Sequence, residues 1–382
     1  MKKNRVLRCY IQVILICGLI FSFSSIALGE DDTITSKSLS LEQAIALGVE
    51  NNDNITLAKL AVEANKINLE QTQFRAKKLQ KTLDDPDMYF AEDVYSVLYF
   101  NPAQAELGYE LAQSTLNYTE NKVKYGIETA YYGLQVADKA LEAADLAWKR
   151  NETQLNNVKA KVNQGLASKL DLYNAEANLL KSQADYMSTK DAADYATMLL
   201  DQMLGLDVTN KLIPTDELSM VENGEISFEE AFSKAQTTDL TYLTAKNNYD
   251  SSDLISDYTQ KFSSPNTFDY EKAEVSRQQA LVACDNAGTD LEIRVYYSYN
   301  KLNTAYTNYQ ALTKSHDLAT EAYRLATLRY KSGLATVYDI QNAETLLELA
   351  ESALLDAEKD YNLAIASFRY SIYPDPEDDS EE

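Results

Sequence analysis

Apolar positions recur along this chain at alternating steps of three and four, and the recurrence is written twice. Leu172, Ala175, Leu179, Ser182, Tyr186, Thr189, Ala193, Ala196 and Leu200 form one such series. At 168 positions further on stand Ile340, Ala343, Leu347, Ala350, Leu354, Ala357, Tyr361, Ala364 and Phe368. A repeat of 3.5 residues is the seam of helices that coil around each other. The same offset carries Leu134, Ala137, Leu141, Ala144, Trp148, Leu155 and Val162 onto Leu302, Ala305, Tyr309, Leu312, His316, Tyr323 and Tyr330. Because 168 is a whole number of heptads, both copies keep one register.

Between the two seams of each copy lies the same short reversal, "QGLASKLD" at 164–171 and "SGLATVYD" at 332–339. Gly165 and Gly333 suit the left-handed conformation that closes a helix. Ser168 and Thr336 suit the N-cap of the next one, with Asp171 and Asp339 three residues on completing a capping box. The pattern therefore predicts two antiparallel hairpins with matching tips. A further pair of stretches, "LSLEQAIALGVENN" from Leu39 and "ISFEEAFSKAQTTD" from Ile226, opens each copy at an offset of 187. The first copy thus holds 19 extra residues, in the stretch 84–104 that Pro86 and Pro102 bracket.

These signals predict helices over 41–82, 103–163, 168–204, 228–262, 270–331 and 336–372, with all six prolines outside them. The fold expected is all-α, long antiparallel coiled-coil hairpins in two tandem repeats, with at most a vestigial β-segment near 88–100. Domain boundaries follow: a signal peptide at 1–29, a first repeat at 30–205, a linker at 206–225, a second repeat at 226–373 and a disordered acidic tail at 374–382. The longest helix would reach about 90 Å at 1.5 Å per residue.

The first 29 residues read as a secretory signal. Lys2, Lys3, Arg5 and Arg8 precede an apolar run from Tyr10 to Phe23, and Ala27-Leu28-Gly29 offers small residues for cleavage. Left uncleaved, the same run would serve as an anchor. Cleavage leaves Cys284 as the one cysteine, so no disulfide framework arises within a chain. It also removes positive charge from a chain already at −24, a balance that repels nucleic acid.

Catalytic and metal chemistry find little footing, and no cofactor is expected. His316 is the only histidine, so no two-histidine metal site exists, and its seam position suits packing or, alternatively, pH sensing. Twenty-seven tyrosines are many for this length; those on the seams either pack between helices or line a wet tunnel. Leu166 and Leu334 differ from the rest of the tips, being apolar at a reversal far from any core, and are candidates for partner contact.

The opening "LSLEQAIALGVENN", the tip "GLASKLDLYNAEANLLKSQADY", the second tip "YKSGLATVYDIQNAETLLELAESALLDAEKDY" and the duplicated layout resemble the TolC-like outer membrane efflux protein family, over about residues 39–372. The resemblance implies a non-enzymatic homotrimer in the cell envelope, an exported duct whose hairpins form a hollow helical barrel. It implies that the tips, Gly165, Leu166, Ala167 and Ser168 with Gly333, Leu334, Ala335 and Thr336, meet a membrane-fusion adaptor and an inner-membrane pump of the ABC or RND type. It places a tunnel-mouth constriction at Asp171, Asp339 and Asn342. The family inserts a pair of strands in each half to build a membrane barrel. Here Tyr95, Val97, Leu98, Tyr99 and Phe100 offer one short strand or an interfacial aromatic patch, and 262–270 offers none. The alternative is an exported coiled-coil scaffold that conducts nothing.

Overall fold

The computed structural model describes residues 36–83, 91–207, 211–221, 226–335 and 337–374. The signal segment at 1–29, the tail from 375 and Thr336 lie outside the described residues. Residues Ser36–Glu382 form one compact unit.

The chain is nearly all helix. After a strand β1 (Ser36–Leu39) come α1 (Leu41–Asn51), α2 (Asp53–Gln80), a single turn α3 (Glu92–Tyr95), α4 (Asn101–Asn163) and α5 (Lys169–Leu204). A second strand β2 (Lys211–Pro214) leads to α6 (Phe228–Ala235), α7 (Leu240–Phe262), α8 (Phe268–Lys331) and α9 (Val337–Tyr370). At 63 residues α4 extends about 95 Å. The heptad seams close as expected, α4 packing on α5 and α8 on α9, while α2 lies along α4 and α7 along α8. The halves meet where α9 and α7 pack on α4.

Each opening helix expected as one piece is two. Asn52 ends α1 and caps α2, its side chain accepting from the N–H groups of Asn54 and Ile55. Asp239, at the matching place 187 residues on, caps α7 by accepting from Tyr242 N–H at 2.9 Å. A short polar side chain that bonds the backbone two and three residues ahead favours a cap over a helix interior, and it breaks the helix there. Ser40 and Ser227, at the same offset, cap α1 and α6.

The second departure concerns the β-segment expected near 88–100: residues 92–100 are helical rather than strand-like, and 88–90 lie outside the described residues. Ser96–Phe100 form a widened π-helical turn running directly into α4, so Pro102 stands in the first turn of that helix rather than outside it. Proline cannot donate to the carbonyl four residues back and its ring crowds that carbonyl. A wider turn just before it relieves both, and Asn101 N–H bonds Ser96 O instead.

The linker carries the third. Strands β1 and β2 pair in parallel, Ser36 opposite Lys211 through Leu39 opposite Pro214, where no strand was expected. Leu39 and Leu212 bury into a first core with Ala44, Ile127, Tyr131, Leu134, Leu200 and Leu204. A second core holds Ala231, Ala235, Leu291, Val295, Leu302, Tyr361, Ile365 and Phe368. The linker crosses between them: Leu218 packs on the first, Met220 and Val221 on the second. Buried Asn362 fixes the crossing by accepting from Val221 N–H and donating to Ser219 O, both at 2.9 Å.

Candidate functional site: two hairpin tips

The two reversals are built alike, bond for bond. In the first, Gly165 adopts φ 74°, its N–H donates to Val162 O at 2.9 Å and Leu166 N–H donates to Lys161 O at 2.8 Å. In the second, Gly333 adopts φ 71°, with Gly333 N–H on Tyr330 O at 2.9 Å and Leu334 N–H on Arg329 O at 2.8 Å. Each is a left-handed closure that satisfies the last carbonyls of a helix. A Cβ at either glycine would meet open space, so only the backbone angle demands glycine.

Ser168 starts α5 with a full capping box: its hydroxyl oxygen accepts from Asp171 N–H at 3.1 Å, and its own N–H donates to Asp171 Oδ2 at 2.8 Å. The Ser168 hydroxyl also donates to Asp171 Oδ2 at 2.7 Å, and this bond, then the one from the Ser168 N–H, holds the Asp171 carboxyl below the usual carboxylate range. Asp171 is therefore a capping residue first. Ala167 and Ala335 are half-buried, whereas Leu166 is 74% exposed and Leu334 71%. Asp339 and Asn342 stand exposed one helical turn apart at the start of α9.

The aromatic stretch lies elsewhere. The rings of Tyr95 and Phe100 pack within the chain, Tyr95 at 5.4 Å from Phe262 and Phe100 at 4.7 Å from Tyr258. Lys261 Nζ stands 4.5 Å from the Tyr95 ring centre. Val97 and Leu98 are half-buried, and Tyr99 is 50% exposed. His316 sits at the seam, its Nε2 3.9 Å from Glu351, and Cys284 is a half-buried free thiol. Among the described residues no cluster could hold a metal ion, and no helix is long and apolar enough to cross a membrane.

Sequence reasoning missed the charged contacts that join the halves. Glu128 of α4 is fully buried and accepts from Arg369 of α9 at 3.1 Å and from the Tyr132 hydroxyl at 3.1 Å. Burial, then the Glu128 charge, pushes the Tyr370 hydroxyl up to about 12. Further along, Arg150 pairs with Glu344 at 2.6 Å and also with Glu348. Within the second half, Arg294 grips Asp239 with both guanidinium nitrogens, at 2.9 and 3.0 Å. Only the cap at Asp239 had a local signal, its place in the matched opening stretch. The other partners lie up to 241 positions apart.

The family model for outer membrane efflux proteins matches residues 235–370. No curated protein matches the chain. Among solved structures, the outer-membrane channel OprN is similar with a TM-score of 0.63 and 15% identity, covering 87% of this chain and 89% of that one. The CmeC outer membrane channel of Campylobacter jejuni is similar at 0.63 and 13% identity, covering 89% and 88%. The open state of the MtrE outer membrane channel of Neisseria gonorrhoeae is similar at 0.60 and 17% identity, covering 87% and 88%. At these identities the likeness speaks to the fold, and the family to which the model points is one of channels, not enzymes. The family model for outer membrane efflux proteins thus matches within the second half of the chain, and the fold of these outer membrane channels extends across both halves.

Proposed function

We propose that this chain is the helical duct component of an efflux or secretion system, exported to the cell envelope and assembling as a trimer. It docks a membrane-fusion adaptor, and through it an inner-membrane pump, by its two hairpin tips. The observation that carries the reading is the pair of tips: two reversals of one geometry, each presenting a leucine more than 70% exposed where no core is near. Exposed apolar side chains on rigid turns are the kind of anchor a partner's groove buries. In this reading residues 30–205 and 226–373 are the two repeats, and Asp339 with Asn342 narrows the tunnel mouth, Asp171 being held by its cap. Tyr99 is the part of the aromatic stretch left free for a membrane surface.

The test is capture of a purified membrane-fusion adaptor from the same cell. Leu166→Asp with Leu334→Asp should reduce capture at least tenfold while the helical circular dichroism stays unchanged. Unaltered capture would sink tip docking. Solute flux through vesicles carrying the assembled protein separates a duct from a scaffold, since a scaffold captures partners and passes nothing.

A further inference from the structure

We infer that the cleft between α4, the linker after β2 and α9 is a binding site for a linear organic oligoamine, a ligand with several ammonium groups joined by short apolar spacers. The inference goes beyond the duct reading and does not depend on it.

The cleft encloses about 460 Å³, the size of a small-molecule site. Its walls are α4, the stretch from Pro214 to Leu218, and Leu355 of α9, so it exists only where both halves and the linker meet. Four carboxylates line it, Asp138 and Glu142 from α4 and Asp216 and Glu217 from the linker, against one cation, Lys139. Lys139 Nζ is engaged by Glu142 at 3.1 Å, so the balance stays acidic. Asp216 is fixed as part of the wall, its Oδ2 accepting from Leu41 N–H at 2.7 Å and from the Tyr131 hydroxyl at 3.4 Å.

Acidity alone would mark a solvated face. Gln135 adds a second, independent feature: it lines the same cleft, is only 7% exposed, and its Oε1 is buried without a hydrogen-bond partner. Its Nε2 donates to Asp216 O, so the amide head lies against the acidic linker wall, and Oε1, on the same carbon, stands there with it. Turning the amide over would only bring two acceptors together, so the orphaned oxygen is a property of the site. A buried acceptor is stabilised by a donor, and an ammonium group supplies N–H donors and positive charge at once.

The repeat provides an internal control. The offset of 168 carries Gln135, Asp138, Lys139 and Glu142 onto Asn303, Tyr306, Thr307 and Gln310. None of these is acidic, so helix packing at this register does not require carboxylates. The first half carries them where the linker brings two more. A bare metal ion fits less well, because among the described residues no group of carboxylates is close enough to hold one. Charges spread around a cleft suit charges spread along a chain, and Leu218 and Leu355 offer apolar contact to the methylenes between them.

The test is isothermal titration calorimetry of the full chain with spermidine at physiological ionic strength. One saturable site per chain is expected. A chain of net charge −24 also attracts any polycation diffusely, so two double variants of equal charge are compared. Asp138→Asn with Glu217→Gln, in the cleft, should weaken binding about tenfold or more. Glu63→Gln with Glu152→Gln, at exposed positions of α2 and α4 outside the cleft, should weaken it less than about twofold. Gln135→Met keeps the bulk without the amide and should also weaken binding, with unchanged helical circular dichroism. Glu217→Gln alone, at an exposed linker side chain, should do the same without disturbing any packing. Heat that never saturates at one site, equal weakening in both double variants, or full displacement by magnesium at matched charge would overturn the site and leave only diffuse attraction.

Discussion

The two halves place the same devices at the same register and then solve their packing differently. Ser40 and Ser227 cap the first short helix of each, and Asn52 and Asp239 cap the second. Behind those caps the chemistry diverges. Asp239 is buried with Arg294, whose counterpart in the first half is Gly126, beside the Met203 side chain. Gly48 and Ile127 touch in the first core, where a Cβ on Gly48 would stand 2.4 Å from Ile127 Cδ1. Their counterparts are Ala235 and Val295, both fully buried. One carbon has moved from one side of the contact to the other, and the filled volume is conserved. The comparison teaches that capping register persists through duplication because it is local, while core shapes drift in compensating pairs.

The largest break in this comparison should come from the ion pair. Arg294→Met leaves the Asp239 carboxylate buried without its charge partner and should cost about 3–5 kcal/mol in urea denaturation. At the matched place in the first half, Asn52→Ala removes only a cap and should cost about 1 kcal/mol.

The core swap comes next. Gly48→Ala alone should cost about 1–3 kcal/mol from overpacking against Ile127. Combined with Ile127→Val, which recreates the arrangement of the second half, the loss should shrink by at least half. Simple additivity of the two changes would break the comparison.

The tips sharpen it in a different way, because here the halves agree. Gly165→Ala and Gly333→Ala should cost equally, about 1–2 kcal/mol each, since only the backbone angle is at issue. Gly205→Ala should cost more, as its Cβ would also meet Asn51 Cβ at 2.9 Å.

The last expected effect depends on pH. Asp201 of α5 occupies the register place of Arg369, is fully buried, and neither carboxylate oxygen has a hydrogen-bond partner among the described residues. Burial, aided by the Asp207 charge, pushes its carboxyl up to about 6 from 3.8. The folded state then binds the proton more tightly than the unfolded one, so stability falls as pH rises from about 4 to about 6 and stays lower above. Asp201→Asn should flatten that fall and raise the urea midpoint at pH 7 more than at pH 4.

Much of this molecule was legible because its physics is local. The 3.5-residue period of Leu172 to Leu200 and its repeat from Ile340 set which helix faces meet, since apolar spacing alone decides which stripe of a helix avoids water. Gly165 and Gly333 marked the reversals because few other residues accept their backbone angle, and Ser168 marked the cap because its hydroxyl reaches N–H groups only three residues away. The breaks at Asn52 and Asp239 carried a signal of the same kind, masked by apolar periodicity running through them.

The tertiary structure alone decided the rest. Glu92–Phe100 are helical because Tyr95 and Phe100 find Phe262 and Tyr258 of α7, which no pattern within those nine residues encodes. Ser36–Leu39 and Lys211–Pro214 form strands because each supplies the other's backbone partners 175 positions away, over a core that neither segment contains. The pairing of Glu128 with Arg369, and of Arg150 with Glu344, depends on which of several charged surfaces the second hairpin lies against. Composition distributes charge along a chain, but only packing determines which opposite charges are brought within bonding distance and out of water.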